Sequence, residues 1–187
     1  CTRRTGNGKF FRTLHWTTNG NPRRTRRKSE IMRRTDREIV DRERLRELIL
    51  TCDCCRLGIA SEDGPYIVPL NFGYEEQNGR GVFYFHCAKE GHKLELLKEN
   101  PRVGFELDTA HTLRAAEKAC GYTFLYASVI GRGTIVSVTD TQEKKAALAR
   151  IMEHYSGKAD WTFSDAEIGS VAILRLDEAE MTGKEHR

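Results

Sequence analysis

Residues 66–100 run YIVPLNFGYEEQNGRGVFYFHCAKEGHKLELLKEN, and the architecture turns on how this segment divides. Tyr66–Tyr74 is apolar and strand-like. Glu75–Gly79 is polar and closes on Asn78-Gly79, a hairpin signal, and Gly81–Cys87 (GVFYFHC) is a second strand-like run. From Gly91 to Asn100 the period changes: Leu94 and Leu97 fall at helical spacing, and Pro101 stops the helix. Two strands on a hairpin-length link, followed by a brief helix, point to an antiparallel sheet with helices at its margin. They do not read as a parallel βαβ array.

The flanking sequence extends this pattern. Upstream, Asp41 is an N-cap for a helix over about 41–51 with Leu45, Leu48 and Ile49 on one face. Arg56–Ser61 alternates Leu57 and Ile59 as a strand, and Asp63-Gly64-Pro65 is a turn. Downstream, Val103–Leu107 is a strand. Tyr122–Val138 spans 17 residues interrupted by Gly131 and Gly133, which reads as two strands or one bent at the glycines. Asp140 with Glu143 opens a helix that carries Leu148, Ile151, Met152 and Tyr155 on one face and ends at Gly157. A last strand covers about Ser170–Leu176, with Met181 as its outer limit. The expected class is α+β: a mostly antiparallel small barrel with peripheral helices.

Length and composition set bounds. The 187 residues suit one domain. No window approaches the roughly 18 unbroken apolar residues of a membrane helix. No G-x-G-x-x-G, Walker loop, H-E-x-x-H or G-x-S-x-G is present, and Gly131-Arg132-Gly133 is half a glycine motif inside a strand pattern. The net charge of +4 is unevenly placed: residues 1–31 carry +8 and residues 32–187 carry −4. We therefore divide the chain into a basic arm, 1–31, and a domain, 32–187. The arm lacks any hydrophobic period and is expected to be disordered. Three readings of it stand: a segment translated from upstream of the domain or appended to it, a functional tail, or a targeting peptide. Nucleic acid is expected as a partner only through the Arg23–Lys28 run.

The six cysteines do not form a secreted framework, because Cys52, Cys54 and Cys55 are too crowded for separate bridges. With no apolar signal stretch, the expected compartment is the cytoplasm. Cys52-x-Cys54-Cys55 lacks a second half for a metal site, so these thiols are read as small apolar fillers and no metal is expected.

The chemistry concentrates around Gly91. A helix starting there presents free N–H groups and a positive dipole end to an anion. Lys93 in the first turn is poorly placed for helix stability unless a negative partner meets it, and Lys89 lies just before. The set suits a phosphate, and a solvated charged loop is the bland alternative. Pro69 cannot donate to a ladder. It marks either an edge strand or a place where backbone groups turn to face a polar heterocycle.

Taken together, Ile67-Val68-Pro69-Leu70-Asn71-Phe72-Gly73-Tyr74, Tyr84-Phe85-His86-Cys87-Ala88-x-x-Gly91-x-Lys93 and Asn100-Pro101-x-Val103 resemble the pyridoxamine 5'-phosphate oxidase-like flavoproteins. Within them they are most similar to the nitroimidazole-resistance proteins. The likeness continues through Tyr126-x-Ser128-Val129-Ile130-Gly131-x-Gly133, the Glu143-Lys144 helix and Met181-Thr182-Gly183-Lys184, covering about residues 32–184. It implies a Greek-key split β-barrel with FMN at a homodimer interface. By the same resemblance Val68, Pro69, Leu70 and Asn71 line the flavin ring with backbone groups, and Phe85, His86 and Ala88 continue that wall. Gly91 and Lys93 hold the phosphate, and Ser128 and Val129 complete the pocket. Cys87 stands where a small Ser-like residue is expected.

The implied function is an FMN-dependent oxidoreductase of small aromatic or nitro-aromatic compounds, with His86 as catalytic proton donor. The alternative is a flavin-binding carrier or sensor without turnover, with His86 merely closing a strand. Haem or a deazaflavin in place of FMN remains compatible with the residues. Pyridoxamine phosphate is a poor substrate expectation, because the C-terminal arginine-rich pattern for a second phosphate is missing. Trp161 and Phe163 are candidates to cover the flavin face or to serve core or dimer contacts, and His111 and His154 read as surface residues.

Overall fold

A computed structural model describes residues 34–187. The expectations for the arm, residues 1–31, fall outside the described residues. The elements are β1 (Glu38–Ile39), α1 (Arg42–Thr51), β2 (Cys55–Ile59), β3 (Tyr66–Leu70), β4 (Gly73–Gln77), β5 (Arg80–Cys87) and α2 (His92–Glu99), followed by β6 (Arg102–Arg114), β7 (Thr123–Ser137), α3 (Thr141–Ser156), α4 (Asp165–Ser170) and β8 (Ala172–His186). Short 3-10 turns stand at Thr35–Arg37 and Ala119–Gly121.

All eight strands join one antiparallel sheet in the order β3-β2-β6-β7-β8-β5-β4, with β1 on β8. The two strands at the ends of this order, β3 and β4, are consecutive in the chain and joined only by Asn71 and Phe72. So short a link forces the two sheet ends together, and the sheet curls into a barrel left open along one seam. This is a split β-barrel of the α+β class.

The interior follows from alternation. Cys55, Leu57 and Ile59 of β2, Val103, Phe105 and Leu107 of β6, and Leu174 and Leu176 of β8 point inward with Phe83 and Phe85 of β5. Leu45, Leu48 and Ile49 of α1 and Leu96 and Leu97 of α2 join the same core. A second cluster lies outside the barrel, where Ala147 and Ile151 of α3 cover Val82, Tyr84 and Ile173. Gly73 lets α3 come this close, since a Cβ there would stand 2.7 Å from the Ile151 nitrogen. The Asp41 cap holds, accepting from Glu43 N–H at 3.0 Å, and Asp140 caps α3 by accepting from Glu143 N–H at 2.8 Å.

Several expected boundaries are corrected. Tyr66–Tyr74 is two strands, because the chain crosses the open seam at Asn71-Phe72. The expected Val103–Leu107 strand runs on to Arg114, and the last strand extends to His186, because β6, β7 and β8 lengthen one another by pairing. Of the two readings of Tyr122–Val138, the single strand holds: β7 runs unbroken, with a register shift between Arg132 and Gly133. The loop after α3 contains α4, opened by a reciprocal Ser164–Glu167 capping box. His154 is half-buried rather than a surface residue: its ring lies 4.4 Å from that of Phe72, and Nε2 is 2.8 Å from the Cys52 carbonyl oxygen. Among the described residues, no helix is long and apolar enough to cross a membrane.

Candidate functional site

The open seam positions the predicted residues. β3 pairs with β2 alone, so its other edge is unpaired, which is where a strand tolerates Pro69. On the far side of the seam, β5 pairs with β4 only as far as Tyr84, opposite Gly73. Phe85, His86 and Cys87 therefore keep β8 as their sole ladder partner and leave a second free edge. Backbone donors and acceptors from Val68–Asn71 and from Phe85–Cys87 flank the seam.

α2 closes its base. Leu96 and Leu97 are buried, and Leu94 packs on the same core as Val68, Leu70 and Cys87. The Tyr66 and His92 rings meet edge to face with centroids 5.2 Å apart, which fastens the helix start to β3. Gly91 is the N-cap at φ 134°, a conformation that favours glycine, and it supplies no capping side chain. The first N–H groups of α2 thus remain available to an anion. Lys93 lies in the first turn of α2. Burial pushes the Cys87 thiol at the end of β5 up, and the Lys93 ammonium pulls it the other way. A seat of free N–H groups, a lysine and an open glycine fits a phosphate monoester.

The predicted residues fall into three groups. Val68, Pro69, Leu70, Asn71, His86, Ala88, Gly91 and Lys93 surround the seam, and His86 is exposed. Phe85 lies in the seam strand, but its side chain is completely buried, so only its backbone can meet a ligand. Ser128 and Val129 are not brought there. Pro69, Arg56, Glu106 and Ile130 form one cross-strand row, placing β7 three strand spacings, about 14 Å, from β3. Val129 also points into the core.

Sequence reasoning missed three features. The Tyr155 hydroxyl accepts from Phe72 N–H at 3.1 Å and donates to the Asp53 carbonyl at 2.8 Å, pinning the seam crossing to α3. Its place on the helical face of Ile151 was the available signal. Tyr126, two residues from Ser128, has the Lys184 ammonium 5.9 Å from its ring centroid. Burial pushes its phenol up, but Lys184 and Arg37 outweigh this and bring it below the usual tyrosine value. The third is a groove of about 580 Å³ on the outer face of β2, β3, β6 and β7, walled by Ile67 and Ile130 over Gly58 and Gly104. A Cβ at Gly58 would meet only ordinary neighbours at 3.5 and 3.8 Å, and one at Gly104 only a carbonyl oxygen at 3.9 Å. Packing within this chain does not require those glycines. Gly131 differs, since a Cβ there would collide with the Phe105 ring.

Of the cysteine cluster, Cys52 and Cys55 are buried in the core and Cys54 is half-buried. Burial pushes Cys52 up to about 12 and Cys55 further still. Among the described residues, no group of three His, Cys, Asp or Glu side chains is placed to hold a metal ion. Trp161 is exposed, and its indole N–H donates to Ser156 Oγ at 3.0 Å.

The eight antiparallel strands, open along one seam, define the class of split β-barrels. Within it, this chain belongs to the pyridoxamine 5'-phosphate oxidase family, whose model matches residues 41–185. Among solved structures it is similar to a candidate 5-nitroimidazole antibiotic resistance protein from Bacteroides thetaiotaomicron VPI-5482. That match has 34% identity and a TM-score of 0.69, and covers 79% of this chain and 86% of the other. The fold is shared with the flavocytochrome Anf3 from Azotobacter vinelandii at 18% identity, TM-score 0.68, covering 84% of this chain and 72% of the other. It is also shared with a FAD and heme binding protein from Mycobacterium smegmatis at 18% identity, TM-score 0.66, covering 81% and 74%. A search of curated proteins finds no match.

Proposed function

We propose that this protein is a homodimeric, cytoplasmic, FMN-dependent oxidoreductase acting on small aromatic or nitro-aromatic compounds. The observation that carries this is the uncapped start of α2, with Lys93 in its first turn, beside two unpaired strand edges. One phosphate seat suits FMN, and the 34% identical neighbour described for nitroimidazole resistance supports the nitro-aromatic class.

The residues divide the task. Lys93 and the first N–H groups of α2 bind the phosphate. The free edges at Val68–Asn71 and Phe85–Ala88 orient the ring system through backbone hydrogen bonds. When bound, the flavin supplies electrons to a substrate stacked over it. The exposed imidazole of His86 delivers the proton.

The second copy covers the outer groove. Exposed Ile67 and Ile130 stand beside charges of both signs: Arg56 reaches Glu106 at 3.0 Å and Asp108 at 2.6 Å, and Arg132 reaches Glu180 at 3.4 Å. A surface with both signs can meet its own copy about a two-fold axis. Ser128, too distant within its own chain, then reaches the partner's seam.

One observation favours a carrier or sensor instead. His86 is exposed near the end of β5, whereas a catalytic histidine is normally held by a hydrogen-bonding partner that orients it. The purified protein decides between the readings. A yellow dimer that oxidises a nicotinamide donor only when a nitro-aromatic compound is present supports the enzyme. A yellow dimer inert to such acceptors supports the carrier, and a colourless protein that takes up no added FMN overturns both.

A further inference from the structure

A second cavity, of about 410 Å³, opens on the other flank of α2. Four parts of the chain wall it: Leu94, Leu97 and Lys98 of α2 with Lys89 just before the helix, the end of β7 at Ile135 and Ser137, Lys144 of α3, and the start of β8. Apart from Lys89, which precedes the seat at Gly91 in the chain, none of its lining residues belongs to the cofactor seat proposed at the seam. Its volume falls in the range of small-molecule sites, about 300–1,000 Å³.

Its chemistry is divided. Ile135, Ile173 and Leu174 are buried and make an apolar floor. Lys89, Lys98 and Lys144 line the same space. Among the described residues Lys145 has a carboxylate partner, Asp165 at 2.8 Å, while these three have none. Lys98 lies in the last turn of α2, where the helix dipole alone accounts for a cation. Lys144 is the opposite case: it lies in the first turns of α3, where that dipole opposes it. Three like charges around one cavity repel one another, and an anion among them turns that repulsion into attraction. The apolar floor rewards an organic body over a bare inorganic ion.

We propose that this cavity binds a small organic anion, an apolar body carrying a phosphate or a carboxylate, at a site separate from the cofactor seat.

The test titrates phenyl phosphate and phenylacetate, in separate arms, into the protein as purified, followed by calorimetry and by the flavin absorbance. At least one of the two is expected to bind once per chain without displacing flavin, and the arm that responds identifies the anionic group. Inorganic phosphate should bind about tenfold or more weakly, and Lys98→Gln with Lys144→Gln should cost about tenfold or more in affinity. Lys93→Ala should leave it unchanged, which separates this site from the seam whatever the fate of the oxidoreductase reading. Amide chemical-shift changes confined to Leu94–Lys98, Ile135–Val138 and Val171–Leu174 are a readout that needs no variant. The proposal is overturned if neither organic anion binds, if inorganic phosphate binds as tightly, if the double variant binds like wild type, or if Lys93→Ala alone abolishes binding.

Discussion

Tyr66 and His92 meet edge to face with ring centroids 5.2 Å apart, and through them the first turn of α2 is fastened to the free edge of β3. The contact brings an uncapped helix start to a strand with unpaired backbone groups. Most of what can be tested follows from that juxtaposition.

Lys93→Ala should weaken FMN binding by about 1.5–3 kcal/mol, the size of a charge-assisted hydrogen bond. Fluorescence titration of the apoprotein measures it. Unchanged affinity would remove Lys93 from the phosphate seat.

His86→Ala should retain flavin and lose most reductase turnover. His86 is exposed and contributes nothing to the core, so the fold should tolerate the change. Steady-state turnover at matched flavin occupancy is the measurement, and persistent turnover would make His86 structural.

Ile67 is 58% and Ile130 60% exposed, so a change of both to Asp should alter the chain's own stability by no more than about 1 kcal/mol. It should nevertheless convert a dimer into a monomer. Sedimentation would show this, and a variant that sediments as wild type would place the interface elsewhere.

Tyr155→Phe removes the acceptor for Phe72 N–H and the donor to the Asp53 carbonyl. With the site partly open to water, the expected loss is about 1 kcal/mol. A lowered unfolding midpoint, with weaker flavin binding as the seam crossing loosens, is the result to look for.

Alkaline pH should destabilise the fold. Burial raises Cys52 to about 12, and it also raises Cys55 and Tyr74. A group whose folded value lies above its unfolded one stabilises the fold fully below the unfolded value, about 8.5 for a thiol, and this is lost as pH rises through the folded value. The unfolding midpoint should therefore be flat with respect to these groups below pH of about 8 and should fall above it. In the native state a thiol reagent should modify exposed Cys120 well before Cys52 or Cys55.

Local order along the chain could be read from residue pattern. The caps at Asp41 and Asp140, the Asn78-Gly79 hairpin, and the apolar faces of α1 and α3 were all legible, because each depends on residues within a turn or two of one another. The start of α2 at Gly91 was legible for the same reason. His154 was misread as a surface residue, because what buries it, Phe72 and the Cys52 carbonyl, lies far along the chain.

From its residues alone this protein's class, its three longer helices and most of its strand positions could be told, since hydrophobic period and capping are local properties. Tertiary structure alone decided that Tyr66–Tyr74 breaks across a seam, that β7 with Ser128 lies three strands from β3, and that Gly58 and Gly104 floor an open groove. Those facts depend on which strand lies beside which, and pairing between residues 50 or more apart is settled by closing the whole sheet rather than by any stretch within it.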